Sequence, residues 1–283
     1  MSSSDWSLVF FTFIGQFSVG VALTLLMITF LKFKFNTNPW HKISKIALFV
    51  ATVSIGVALL ISFLHLSAPL SSIFALSNLK SSWLSREILM VSVYGATILA
   101  TTAYWIWQKG NGKLFGIFLS ISTIFGIMMV FTMGKLYMLP TVPAWNTPIT
   151  LISFYVNTVI LGTSFMLLIA EYHLKNETPV KLEKVLLFLI IIACGIKLAT
   201  NAISWGAQPN DSIGFYNKQV PSLLRALSWF WVLGLGLLIR KIFPQPHDKP
   251  VGIRIYAIAF VFFVIAEFAA RVIFYWSYFR VGV

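Results

Sequence analysis

Residues 7 to 276 read as eight apolar runs, divided by short stretches rich in Asn, Gly, Pro and Lys. Many of the runs have 18 or more residues almost free of charge. A run of that length crosses a hydrocarbon core about 30 Å thick, and a backbone in lipid must satisfy its hydrogen bonds internally, so each run is predicted to be a transmembrane helix. The interruptions are Asn36 to Lys45, Gly110 to Lys113, Pro140 to Pro148, Lys175 to Lys184, Gln208 to Pro221 and Pro244 to Pro250. They place the spans near 7–31, 44–66, 87–107, 114–133, 149–170, 184–205, 222–243 and 253–276. The fold class that follows is all-α: a polytopic membrane protein in which residues 1–283 form a single integral membrane domain, a bundle of eight transmembrane helices. Composition agrees, since 10% of residues are charged against about 25% in a soluble domain. One cysteine, Cys194, excludes an internal disulfide, a Cys-rich zinc site and a Cys-ligated cluster within the chain.

The net charge of +13 reads as a topology signal and not as a nucleic-acid surface. The loops after helices 1, 3, 5 and 7 hold Lys32, Lys34, Lys42, Lys45, Lys109, Lys113, Lys175, Lys181, Lys184, Arg240, Lys241, Lys249 and Arg254. The opposite side holds only Lys80, Arg86, Lys135, Lys218 and Arg280, and Lys197, Arg225 and Arg271 fall within spans. The positive-inside bias then sets the four basic loops in the cytoplasm and both termini outside. The uncharged start, Met1 to Trp6 apart from Asp5, lacks the basic n-region of a cleavable signal peptide. Trp105 and Trp107 inside, and Trp83, Trp145, Trp205 and Trp276 outside, fit an interfacial aromatic belt.

Ionisable residues are costly in a bilayer, so those inside the spans carry the functional signal. They are His65, Glu87, Lys197, Arg225, Glu267 and Arg271, and the orientation above puts all six toward the outer face, with nothing comparable in the cytoplasmic half. His65 ends helix 2 ahead of Pro69 and titrates in the physiological range. Glu87 opens helix 3, where Ser85 is the expected cap and Arg86 an expected ion-pair partner. Glu267 and Arg271, four residues apart, share a helix face and are expected to pair within the membrane or to form a polar wall of an outer pocket. Lys197 and Arg225 are expected to snorkel. His41, His173 and His247 are assigned to cytoplasmic loops, which speaks against a bis-His haem. A His–carboxylate pair at a wet membrane edge suits the two protons released by a quinol on oxidation. His65 and Glu87 are thus the candidate catalytic residues, and Arg86, Glu267 and Arg271 join them as candidate quinol-binding residues.

With His65-Leu66 and Pro69, Ser85 with Glu87, Thr141-Val142-Pro143-Ala144-Trp145, and Glu267 through Arg271 to Phe274-Tyr275 in this order, the chain resembles the membrane anchor subunit of bacterial dimethyl sulfoxide reductase, the DmsC family, over nearly its full length. It is more distantly similar to the polysulfide reductase type of anchor. The resemblance implies a haem-free subunit of the bacterial cytoplasmic (inner) membrane that binds menaquinol near the periplasmic face. It also implies partners: an iron–sulfur electron-transfer subunit and, beyond it, a molybdopterin catalytic subunit. In that family His65 and Glu87 match quinol-site positions, and the anchor oxidises quinol without carrying out the terminal reduction. Two alternatives are open, an anchor for a related polysulfide, tetrathionate or nitrite enzyme, and a transporter.

Overall fold

The computed structural model describes residues 3–31, 37–63, 76–108, 114–174, 180–206, 220–242 and 253–278. Among the described residues the helices are α1 (Ser3–Phe30), α2 (Thr37–Phe63), α3 (Trp83–Trp107), α4 (Phe115–Tyr137), α5 (Pro148–Leu174), α6 (Val180–Gly206), α7 (Ser222–Leu227), α8 (Phe230–Ile242) and α9 (Ile253–Trp276), with a 3-10 turn at Leu76–Asn78. No strand occurs among the described residues. Among the described residues eight helical spans are long and apolar enough to cross a membrane, α7 and α8 together making the seventh, Ser222–Arg240.

Several ends lie outside the stretches that hydropathy marks. Helix α3 begins at Trp83, with Ser82 as its N-cap, extended and accepting from the Ser85 N–H at 3.3 Å. Ser85 is therefore a donor to the cap instead of the cap itself, and Glu87 sits in the second turn. Polar residues extend the helix because its first turn leaves N–H groups that a serine oxygen satisfies. His41 and His173 also lie on helices, in α2 and α5, and not in loops. The seventh span is not continuous. At Ser228–Trp229 the backbone tightens, with Trp229 N–H bonded to Ala226 O (3.1 Å) and Val232 N–H to Trp229 O (2.9 Å). The Ser228 hydroxyl donates to Arg225 O at 2.7 Å, the local competition that makes serine a weak helix former.

Helices α1 and α5 form the centre of the bundle, each with 67% of its span buried. Around them α2, α4 and α9 pack on both, while α3 fills the outer side of α2 and α4, and α6 packs against α5. The crossing of α1 and α5 is close because two glycines meet: a Cβ on Gly162 would strike the backbone of Gly20, and one on Gly20 would come 3.0 Å from the Gly162 Cα. Small residues at such crossings let backbones approach where apolar side chains gain nothing over lipid. Next to it Thr24 and Thr163 hydroxyls meet at 3.2 Å. Gly162→Ala is expected to cost about 1–3 kcal/mol or more by overpacking, seen as a several-fold lower yield of folded protein from membranes. Gly195→Ala, where an added Cβ meets nothing within 4 Å, should leave that yield unchanged; equal yields for both would show that the crossing does not set the packing.

Polar positions on α5 repeat every seven residues, Thr150, Asn157, Ser164 and Glu171, and all four are buried. Seven residues are close to two helical turns, so they mark one face of α5. That face carries the site described next.

Candidate functional site

The ends of α4 and α9 and the start of α1 converge on a hydroxyl cluster: Tyr275 Oη donates to Tyr137 Oη at 2.5 Å and lies 3.4 Å from both Thr12 Oγ1 and Leu8 O. Around the two tyrosines stand Trp145, Phe154 and Phe274. The Trp145 indole stacks on Phe274 at 4.9 Å and donates from Nε1 to Phe274 O at 2.8 Å. Trp145 is thus buried packing, not the belt residue that its place near a span end suggests.

Glu87 reaches the same region from α3. Its side chain is 5% exposed, and it acts electrostatically on both Tyr137 and Tyr275. Its Oε1 finds no hydrogen-bond partner among the described residues. The expected pair with Arg86 is not formed. The Arg86 guanidinium instead donates to Leu79 O (2.8 Å) and Lys80 O (2.6 Å) and lies 4.3 Å over the Trp83 ring. The carbonyls of the turn before α3 take it because they need donors, and Glu87 points the other way, into the bundle. His65 lies outside the described residues.

A second group of charges occupies the adjoining faces of α5, α6 and α9. Lys197 Nζ and Glu267 Oε2 form an ion pair of 2.6 Å, with side chains 7% and 0% exposed. The Asn157 amide, oriented so that both ends are satisfied, donates to Glu267 Oε2 (2.5 Å) and Ser153 O (3.1 Å) and accepts from Arg271 Nη2 (3.2 Å). Arg271 Nη2 also donates to Gln16 Oε1 at 2.5 Å, and the guanidinium sits 3.9 Å from the centre of the Phe154 ring. The expected Glu267–Arg271 pair is therefore corrected. Glu267 turns to Lys197 across the helix interface, and Arg271 is held by two amides and an aromatic face, a cation–π contact. Lys197 does not snorkel; a buried partner outweighs the reach to water. Arg225, on the short helix α7, donates to Val220 O at 2.9 Å.

Asn157, Lys197, Arg225 and Arg271 border a cavity of about 400 Å³, whose lining also includes apolar residues such as Val156, Ile203 and Phe274. Sequence reasoning proposed Glu267 and Arg271 and gave Lys197 only a snorkelling role. It passed over Gln16, Tyr137 and Asn157 and named Tyr275 only within the motif ending Phe274-Tyr275, although the seven-residue spacing on α5 was there to point to Asn157.

The opposite end of the bundle is not free of buried acids, as the hydropathy reading expects. Glu171 is 3% exposed, and Tyr256 Oη donates to Glu183 Oε1 at 2.5 Å. Glu171 escapes that reading because it lies one residue past the apolar run that ends at 170. On the same end His41 stacks on Trp105 at 5.4 Å. Among the described residues no group of three or more His, Cys, Asp or Glu comes together to hold a metal ion.

An eight-span helical bundle with most of its buried ionisable groups toward one end, beside a cavity, is the class that fold and site define: an integral membrane subunit with a charged, cavity-bearing end. The family model for the DMSO reductase anchor subunit (DmsC) matches residues 1–276, and the chain belongs to that family. It is similar to the anaerobic dimethyl sulfoxide reductase protein YnfH of Escherichia coli K12, 27% identical over 98% of this chain and 96% of that protein. It is also similar to the C subunit of the anaerobic dimethyl sulfoxide reductase of the same strain, 23% identical over 98% of this chain and 96% of that protein. The corresponding C subunit of Haemophilus influenzae is 30% identical over 60% of this chain and 62% of that protein. The protein is a respiratory membrane anchor of the DMSO reductase type.

Proposed function

We infer that this anchor oxidises menaquinol and passes the electrons to a docked iron–sulfur subunit, which feeds a molybdopterin subunit that reduces dimethyl sulfoxide. The observation that carries this reading is the Glu87 carboxylate, buried within electrostatic range of Tyr137 and Tyr275 and with one oxygen unpartnered among the described residues. A membrane protein keeps such a costly group for proton chemistry far more readily than for packing. Oxidation of a quinol yields quinone, two protons and two electrons. Glu87 and His65 take the protons, the hydroxyl pair orders the surroundings of Glu87, and the electrons leave to a cluster of the partner. Arg86 braces the turn that opens α3, and Glu267 with Arg271 forms the polar wall of the quinol-binding end.

The protein lies in the bacterial cytoplasmic membrane with both termini and the Glu87 end periplasmic. Support for this orientation is the concentration of Lys and Arg in the four alternate loops. The iron–sulfur subunit then docks on the periplasmic loops, and protons are released on the same side.

The test separates quinol chemistry from assembly. In the complete complex His65→Ala is expected to lower quinol-dependent reduction at least tenfold, with reduction driven by an artificial dye that feeds the partner subunits unchanged. Equal loss of both rates would trace the effect to assembly, and unchanged quinol turnover would remove His65 from the site.

A further inference from the structure

Helices α3 and α4 meet along a seam that runs from one end of the bundle to the other. The buried positions of α3 include Glu87, Val91, Tyr94, Ile98, Thr101 and Trp105. They recur every three or four residues and so form one stripe. Thr101 Oγ1 lies 2.8 Å from Ser122 Oγ, and a Cβ on Gly126 would meet the Tyr94 ring at 3.0 Å. Those two crossings fix the antiparallel register of the pair. Continued outward, the register brings Glu87 level with the turn of α4 between Met133 and Tyr137, both buried.

Two hydrogen-bonding capacities are left over at that level. Tyr137 Oη accepts from Tyr275 Oη at 2.5 Å, which leaves the Tyr137 proton with no acceptor among the described residues. Glu87 Oε1 has no donor among them. Buried polar groups in native structures are nearly always satisfied, so a spare donor and a spare acceptor on one seam answer each other. The hydroxyls are polarised in the same sense. Tyr275 donates toward Tyr137, and behind them the Arg271 guanidinium sits 3.9 Å from the centre of the Phe154 ring, itself 5.8 Å from the Tyr137 ring. A hydroxyl that accepts one hydrogen bond donates the next more strongly. Glu87 and Arg271 both act electrostatically on both tyrosines. Other charges on the packed elements are turned away or absent. Arg86 is tied to the carbonyls of Leu79 and Lys80. Lys135 lies two residues before Tyr137 and so on the other side of α4, and α2 carries no titratable side chain after Lys45 in its described length.

We propose that Tyr137 is a positioning residue for Glu87: its hydroxyl gives a hydrogen bond to the carboxylate, directly or across one water, and so sets the ease with which Glu87 takes a proton. The proposal rests on the proton-accepting role given to Glu87 above and names what tunes it. A donor aimed at a carboxylate stabilises the charged form over the neutral one, and a single bridging water transmits such a bond with little loss. When Glu87 takes a proton, a carboxyl O–H forms as a quinol O–H breaks, and the quinol oxygen keeps the electron pair. Tyr137 and Tyr275 hold their own protons throughout and stay neutral.

Infrared spectroscopy of the complete complex tests the assignment without substrate. The carboxyl band that Glu87→Gln removes reports the protonation of this acid as the pH is raised. Tyr137→Phe should move the midpoint of that band up by about one to two pH units. Tyr275→Phe should move it up by roughly a few tenths of a unit, with dye-driven turnover at its wild-type rate in both. Tyr94→Phe removes another buried hydroxyl of the same seam, one 2.8 Å from Ser18 Oγ, and should leave the midpoint in place. The acid limb of the quinol-dependent rate should shift by the same amounts, which a loss of packing alone would not cause. No titrating band, an unmoved midpoint in Tyr137→Phe, or an equal shift in Tyr94→Phe would overturn the proposal. If Tyr137→Phe does not assemble, Tyr275→Phe decides, and an unmoved midpoint there overturns the chain of donors. The expected shifts in a complex whose clusters dye reduces and quinol does not would overturn the quinol reading and leave the tie between Tyr137 and Glu87 standing.

Discussion

Replacing Glu87 with glutamine is expected to slow quinol-dependent turnover about 100-fold, while dye-driven turnover of the same complex holds its wild-type rate. A positioned base contributes roughly 10²–10⁴ to a proton-transfer step, and glutamine keeps the volume of the side chain while losing its ability to take a proton. The buried position makes the substitution informative. Glu87 makes no ion pair with Arg86, which is held by the carbonyls of Leu79 and Lys80, so the neutral amide breaks no salt bridge there. The pH dependence of the quinol rate should flatten as well, because the titrating acceptor is gone. A variant with wild-type rate and pH profile would mean that Glu87 takes no proton from the substrate.

Lys197→Met alone is expected to destabilise the subunit by about 3–5 kcal/mol, the cost of leaving one member of a buried pair uncompensated. For a chain of this size that is a fall of about 10 °C in the unfolding midpoint in detergent. Adding Glu267→Gln should return most of it, since two neutral side chains of similar volume replace the pair without an unpaired charge. Thermal unfolding of the two variants and the wild type measures the coupling directly. Equal midpoints for the single and paired variants would show that the 2.6 Å contact between Lys197 and Glu267 contributes nothing to the fold.

The span count was legible in the sequence because hydrophobic length is a strong and local signal. Helix ends were less so: α3 starts four residues before the apolar run, since Ser85 and Arg86 interrupt the hydropathy without interrupting the helix. The break at Ser228 was hidden for the opposite reason, as an apolar run reads the same whether its backbone is continuous or tightened. Glu87, Glu267 and Arg271 stood out as charges among apolar neighbours. Their partners did not, because an ion pair between α6 and α9 depends on which helices pack side by side. Spacing along one chain favours Glu267 with Arg271, whereas the fold sets Lys197 against Glu267 and Gln16 against Arg271. Neutral members such as Asn157 and Tyr275 give no hydropathy signal strong enough to separate them from ordinary helix polarity.

Whether electrons enter the complex from quinol through this subunit is open to one direct measurement. Menaquinol is mixed rapidly with the oxidised complete complex, and reduction of the partner's iron–sulfur clusters is followed by their electron paramagnetic resonance signal. The wild-type complex should reduce its clusters from quinol, and the complex carrying Glu87→Gln should do so about 100-fold more slowly at the same cluster content. Clusters that dye reduces but quinol leaves oxidised in the intact wild-type complex would contradict the account.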